Sequence, residues 1–325
     1  TPQIISNRLR FTEAKGNQST ASSYQRLFPA KDNLVEIEFD HYAYDGNGAD
    51  GIAIVLSDAT ITPNPGAFGG PLGYGFKRGE AGFSGGWLGI GIDEYGNYSN
   101  EGGTGNKPGR RRQSVALRGS GIGEAGYQYL AGACDDGQGN PNGECLDPPV
   151  DYNNGINDLT HRYKIVIDSR QNGESNVEIF RKLGNGDWNT IVGPINVLDN
   201  QYSQSDIPED FLLSITGSTG GSTNIHEIDN FQVCALDSRP IDDQIDHFRL
   251  THSGSPSTCS AESVLIEACL DTNCNSLYSG QVTATLSPST NSDSSWVDES
   301  GNSNNVVTFS GGQGVFDFRK RTKGN

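Results

Sequence analysis

The chain contains no methionine, only 3 tryptophans in 325 residues, and 23 basic against 40 acidic side chains. No stretch approaches the roughly 18 consecutive apolar residues that a membrane helix requires, so no helical span is expected. The shortage of positive charge leaves a formal net charge of -17. Such a surface repels nucleic acid phosphates and anionic membranes, which makes both poor partners. Two short basic clusters, Arg110 to Arg112 and Arg319 to Lys323, do not reverse that balance and read as solvated loop charge. Cys-x-x-Cys pairs are absent and no histidine neighbours a cysteine, which removes the usual zinc spacing. Apolar residues keep no helical period beyond two turns, so an α-helical core is excluded. A chain that starts at Thr1 and lacks methionine reads as a processed product.

Glycine, by contrast, fills 43 positions, about twice ordinary usage, with Ser, Thr and Asn abundant around it. That mixture suits many short strands joined by tight turns. Period-two alternation marks Leu34 to Tyr42, Gly51 to Asp58, Arg162 to Ser169, Ser175 to Leu183, Asp210 to Thr216 and His226 to Cys234 as strands. Near Leu236 the texture becomes polar and proline-containing, as a linker does. Beyond it, FRLTH, SVLIEACL, QVTATLS and NVVTFSGGQGVFDF form a second set of short strands. The reading is all-β: a sandwich over residues 1–238 and a small immunoglobulin-like sandwich over 239–325 that reads as cut short.

Six cysteines form three groups. Cys134 and Cys145 bracket CDDGQGNPNGEC, which has no apolar content to hold it closed, and Cys269 and Cys274 enclose LDTN. Cys234 and Cys259 are left as a third pair. Disulfides place the chain in an oxidising compartment: periplasm, cell surface or secreted.

The stretch GIDEYGNYSN follows an apolar run that should be a buried strand. Hard cations want six to eight oxygens from carboxylates, amides and backbone carbonyls on a flexible loop. Asp93, the Tyr95 carbonyl, Asn97 and Glu101 follow at positions 0, +2, +4 and +8, and a turn at Gly96 would bring them round one ion. Asp, Asn and Gly also populate any polar turn. Upstream, Asp50 lies between a glycine-rich turn and a buried strand, and Gly69 and Gly70 offer bare backbone to a ligand. A carboxylate, a glycine amide, an asparagine and a tyrosine face are the groups a neutral sugar requires.

The succession ADGIAIVL, GGPLGYG, GIDEYGN, ITGSTGG and HEIDNFQV resembles the L-type (legume-lectin-like, concanavalin A-like) carbohydrate-binding fold over roughly Ile4 to Cys234. That resemblance implies sugar-binding roles for Asp50, Gly69, Gly70, Tyr95, Asn97, Tyr98, Gly220 and Gly221. It also implies a calcium ion (Ca2+) on Asp93, Tyr95, Asn97 and Glu101, and a cis peptide between Ala49 and Asp50. Gly91 stands where plant members carry a glutamate of a second metal site, and the histidine completing that site is missing, so one calcium at most is implied. The segment CSAESVLIEACLDTNCNSLYSGQVTATLS resembles, over residues 241–325, a domain of the surface protein of mannose-sensitive haemagglutinin (MSHA) type IV pilus systems. A lectin-like head followed by that domain implies a pilus-associated adhesin of a Gram-negative bacterium. Its partners would be glycans on a cell or matrix surface and pilus or cell-surface proteins.

Two other classes compete. A glucanase needs two carboxylates about 5 to 5.5 Å apart. Glu227 with Asp229, and Glu36 with Glu38 and Asp40, share strand faces, but Gln232 breaks the first series and a solvent-facing ladder explains the second. Asp93 and Glu94, being adjacent, would point to opposite faces of a strand. The five histidines read as surface or strand-end residues, and no Gly-x-Ser-x-Gly elbow lies between a strand and a helix. The other rival is a sandwich that binds no sugar and serves as a spacer or protein contact. Trp87 reads as core and Trp188 as an exposed hairpin residue, with Trp296 open to either role. The sequons at Asn17 and Asn97 carry no expected glycan.

Overall fold

The computed structural model describes residues 1–135, 144–151, 160–241, 245–254, 257–298 and 301–322, and among them there is no helix. The chain divides into two compact units, Thr1–Arg239 and Pro240–Asn325.

The first unit stacks two seven-stranded sheets. One runs Gln3–Ile5, Arg8–Thr12, Ile225–Ala235, Leu34–Tyr44, His161–Asp168, Asn176–Leu183, Asn189–Asn196 in spatial order. The other runs Tyr129–Gly132, Ser114–Arg118, Gly86–Asp93, Gly51–Asp58, Asp210–Thr219, Gln18–Pro29, Arg239–Pro240. Alternation decides which face turns inward. Val35, Ile37 and Phe39 are buried while Glu36 and Glu38 stay half-exposed, and Ile37 lies opposite Ile165 on the next strand. Strands Gly51–Asp58 and Gly86–Asp93 are buried along both faces. The reason is a second apolar layer, in which Leu72, Tyr74, Phe83, Tyr98 and Tyr127 from the connecting loops cover Ala53, Val55 and Ala116 on the outer face of that sheet. Truncating an inner residue such as Ile54, which is 0% exposed, would open a cavity costing about 2–5 kcal/mol.

Register positions the loops. Gly51 pairs with Asp93 and with Ser218, and Asp93 pairs with Ser114, so residues 50, 93 and 218–220 all emerge at one end of the second sheet.

The second unit has a four-stranded sheet, His247–Thr251, Glu262–Cys269, Gln313–Lys320, Ser294–Val297, and a pair, Gln281–Thr285 with Val306–Ser310. Val264, Ile266, Val282, Trp296, Phe309 and Phe316 form its core. Trp296 is therefore packing, as is Trp87 in the first unit, whereas Trp188 is half-buried with the Lys164 and Lys182 ammonium groups over its ring.

Disulfides join Cys134 to Cys145 and Cys269 to Cys274. The third expected pair is not formed: Cys234 and Cys259 are free and exposed. Cys234 ends an edge-facing stretch of the first unit and Cys259 belongs to the second, so elimination by count did not reflect chain geometry.

Candidate functional site

At the loop end of the second sheet, three turns meet. The Ala49–Asp50 peptide is cis. The Asp50 amide donates to the Ser218 carbonyl at 3.2 Å, and the Asp50 carbonyl accepts from the Glu94 amide at 2.9 Å. Asp50 is thereby held between the end of the strand Asp210–Thr219 and the turn after Asp93. Its carboxylate lies against two glycines: a Cβ on Gly220 would stand 3.0 Å from Oδ2, and one on Gly69 3.8 Å from it. Asp50 is 4% exposed and its Oδ2 has no hydrogen-bond partner. Burial pushes its carboxyl up to about 6, partly offset by the nearby His226 and Lys77.

The next residue faces the third turn. A Cβ on Gly70 would collide with the Asn97 Cβ at 2.5 Å and meet Glu101 Oε2 at 2.9 Å, so only glycine lets this loop approach so closely. Ser218 Oγ donates to the Gly69 carbonyl at 3.1 Å and Thr216 Oγ1 to the Leu72 carbonyl at 2.6 Å, which pins the glycine loop to the strand Asp210–Thr219. The Asn100 and Glu101 amides both donate to the Asn97 carbonyl, folding 97–101 into one tight turn. Asp50, Gly69, Gly70, Asn97, Glu101 and Gly220 thus come together. Gly221 has open space around it.

The Asp93 carboxylate and the Tyr95 carbonyl, two of the expected calcium donors, accept hydrogen bonds from the protein. Asp93 is fully buried, with Oδ1 accepting from the Gly96 amide at 2.8 Å and Oδ2 from the Tyr98 amide at 2.7 Å, so the loop winds round the carboxylate itself. The Tyr95 carbonyl accepts from Arg110 Nε at 2.8 Å, and that guanidinium lies 3.8 Å from the Tyr95 ring centre. A divalent cation on that oxygen would face a fixed positive charge. The open side of the turn is closed by main chain: a Cβ on Gly96 would meet the Arg111 and Arg112 backbone at 2.4–2.6 Å. Glu101 Oε2 and the Asn97 side chain lie against Gly70 of the glycine loop. Among the described residues, one group of three or more His, Cys and acidic ligand atoms gathers, that of His247, Cys269 and Cys274, two of which are joined in a disulfide.

Beneath the turn lies a cation the sequence reading passed over. Arg118 is 1% exposed and donates to the Tyr98 carbonyl at 2.6 Å, the Tyr127 carbonyl at 2.5 Å and the Glu101 carbonyl. One guanidinium therefore satisfies three main-chain acceptors around the binding turn. Tyr98, expected to face a sugar, is 0% exposed and packs against Gly91 and Leu72, because its ring is part of the outer apolar layer.

Glu94 also departs from expectation. It lies in a turn, not on a strand, and points inward at 0% exposure. Its Oε1 meets His226 Nε2 at 2.5 Å and its Oε2 accepts from Asn224 Nδ2 at 2.6 Å, while His226 Nδ1 meets Thr12 Oγ1 at 2.7 Å. His41 and His161 are likewise 0% exposed, so three of the five histidines are interior, not surface or strand-end residues. Burial drives His161 down to about 4 and His41 well below its ordinary value, which keeps both neutral. The clue was available for two of them: His41 continues the inward series Val35, Ile37, Phe39, and His161 starts the inward series Tyr163, Ile165, Ile167.

Three of the five glucanase candidates are clamped. Glu227 pairs with Arg10 at 2.7 Å and Arg8 at 3.5 Å, and Glu38 and Asp40 share Arg162 at 3.0 Å each.

Residues 245–325 match a family described as a domain of unknown function (DUF8613). No curated protein matches the chain. Among solved structures, the chain is similar to a Lotus tetragonolobus seed lectin (TM-score 0.50, 13% identity, 72% of this chain and 90% of that one). It is also similar to lectin I-B4 from Griffonia simplicifolia in its metal-free form (TM-score 0.48, 13% identity, 73% and 91%). A third likeness is to the lectin from Bauhinia forficata in complex with GalNAc (TM-score 0.47, 12% identity, 74% and 91%). Only the first unit is large enough to supply such a share of the chain. Its architecture is the jelly-roll β-sandwich of the legume lectins.

Proposed function

We propose that the cup formed by Asp50, Gly69, Gly70, Asn97 and Gly220 binds glycans through their hydroxyl groups and leaves them chemically unchanged. The observation that carries this reading is the Asp50 carboxylate, whose Oδ2 is desolvated and unpartnered between two glycines. A buried acceptor without a donor costs free energy that a ligand hydroxyl recovers. The Gly70 amide supplies a donor, Asn97 supplies both functions, and Tyr95 presents a half-exposed ring at the rim. The arginine clamps on Glu227, Glu38 and Asp40 hold these carboxylates in ion pairs and favour binding over hydrolysis. The proposal does not depend on calcium; the Asp93 oxygens and the Tyr95 carbonyl each accept a hydrogen bond from the protein.

Single-site affinity should be modest, because hydroxyl-water bonds are exchanged for hydroxyl-protein bonds. Display of many copies compensates through avidity. Both disulfides favour an extracytoplasmic setting, and the resemblance of residues 241–325 favours a pilus-associated adhesin on a Gram-negative cell surface. Immunogold labelling of intact cells tests that setting; label confined to the cell interior would defeat it.

Asp50→Asn tests the glycan reading. Loss of all signal on a glycan array, with folding retained, is the expected result; unchanged binding refutes the assignment. A sugar-free, protein-contacting sandwich is the competing reading. It is favoured by an apolar groove of ≈ 280 Å³ lined in part by Ile4, Leu9, Phe11, Tyr24 and Phe231. An array with no signal for the unmodified protein would leave that reading standing.

A further inference from the structure

We infer that the cup is built for acidic sugars, with the Lys77 ammonium receiving the ligand's anionic group while Asp50 receives its hydroxyls. This rests on the glycan reading above and specifies its ligand.

Lys77 comes from a short hairpin in which its amide and carbonyl both bond to Glu80 at 2.9 Å, so its backbone is fixed. Its side chain turns back over the Phe68 ring, 4.1 Å from the centre. There its ammonium reaches the glycine loop: a Cβ on Gly69 would lie 2.8 Å from Nζ. Lys77 Nζ and Asp50 Oδ2 are thus both within 4 Å of the position a Gly69 Cβ would take. Among the described residues Lys77 forms no ion pair within 4.0 Å, although the chain carries 40 acidic residues against 23 basic ones. In so acidic a protein an unpaired lysine over an aromatic face, beside a desolvated carboxylate, is placed for a charge that arrives from outside.

The surrounding loops agree in sign. Residues 69–112 hold six basic side chains, Lys77, Arg78, Lys107, Arg110, Arg111 and Arg112, against four acidic ones. Two of those acids, Asp93 and Glu94, are fully buried. With those two acids buried and Arg111 paired with Asp135, five basic side chains remain on these loops against Glu80 and Glu101, on a chain whose net charge is -17. Arg110, stacked on Tyr95, adds a second cation on the turn that carries Asn97. A pyranose bearing a carboxylate or a sulfate ester satisfies both ends of the site: its ring hydroxyls donate to Asp50 and its anion pairs with Lys77.

Calorimetric titration at low salt with D-galacturonate, D-glucuronate, galactose 6-sulfate and the neutral parents galactose and glucose tests the inference. At least one anionic sugar should bind about tenfold more tightly than its neutral parent, and Lys77→Gln should bring that anionic-to-neutral ratio to about one while the melting temperature holds. Lys77→Arg should preserve the advantage. Equal or weaker binding of every anionic sugar, or an advantage that survives in Lys77→Gln, overturns the acidic-sugar assignment and leaves the glycan site intact. No binding of any sugar, with Asp50→Asn indistinguishable from the unmodified protein, overturns the underlying reading as well.

Discussion

Glu94 Oε1 and His226 Nε2 meet at 2.5 Å with neither side chain exposed, and the amide of the same glutamate holds the Asp50 carbonyl at 2.9 Å. The cup is thus fastened to the interior through a polar link that includes Asn224 and Thr12. Glu94→Ala leaves His226 and Asn224 buried without their acceptor. Urea unfolding should show a loss of about 3 kcal/mol or more in the first unit. A loss below about 1 kcal/mol would mean water replaces the carboxylate at little cost.

Asp50 makes ligand binding depend on pH. Its carboxyl is raised to about 6, so the charged acceptor form dominates at neutral pH and is titrated away in mild acid. Measured affinity should fall about tenfold per unit as the pH drops below that value. Stability runs the other way: a carboxyl raised above its unfolded value of 3.8 contributes stability that is present at low pH and lost as pH rises through about 6. Asp50→Asn should accordingly melt no lower than the unmodified protein at pH 7.5. A markedly lower melting temperature would make Asp50 a structural residue.

Metal removal separates this chain from a calcium-dependent binder. Chelator at millimolar concentration should change neither sugar affinity nor melting temperature, because a native-state metal would raise stability by mass action and the Asp93 carboxylate and Tyr95 carbonyl already accept from protein donors. Calcium-induced stabilisation would reinstate the ion. Arg118→Met should instead weaken binding and lower stability together by roughly 2–4 kcal/mol, as three carbonyls lose their donor.

Two thiols should react in the folded protein. Cys234 and Cys259 are exposed and free, so a disulfide-exchange reagent without denaturant should count two equivalents. A count of zero would restore the third bridge.

Strands were legible where one face is wet. Alternation located Leu34–Tyr44, His161–Asp168, Asn176–Leu183 and Ile225–Ala235 to within a few residues. Gln18–Pro29 escaped because QSTASSYQRLFP is polar on both sides of the pleat for most of its length, and its pairing with Asp210–Thr219 is a tertiary fact. The convergence of Asp50, Gly69, Gly70 and Asn97 followed from motif order. Arg118, Lys77 and the inward histidines did not, because a charged side chain in a turn or strand does not reveal which partner, if any, will receive it. Tyr98 was misjudged for a related reason: nothing local distinguishes a ring at a ligand from a ring in a second apolar layer.

The crowding at Gly70 and the open space at Gly221 divide the rim into positions that resist change and one that welcomes it. A library aimed at altered selectivity should hold residue 70 constant and randomise residue 221. New side chains there can extend over a bound ligand without displacing any atom of the scaffold.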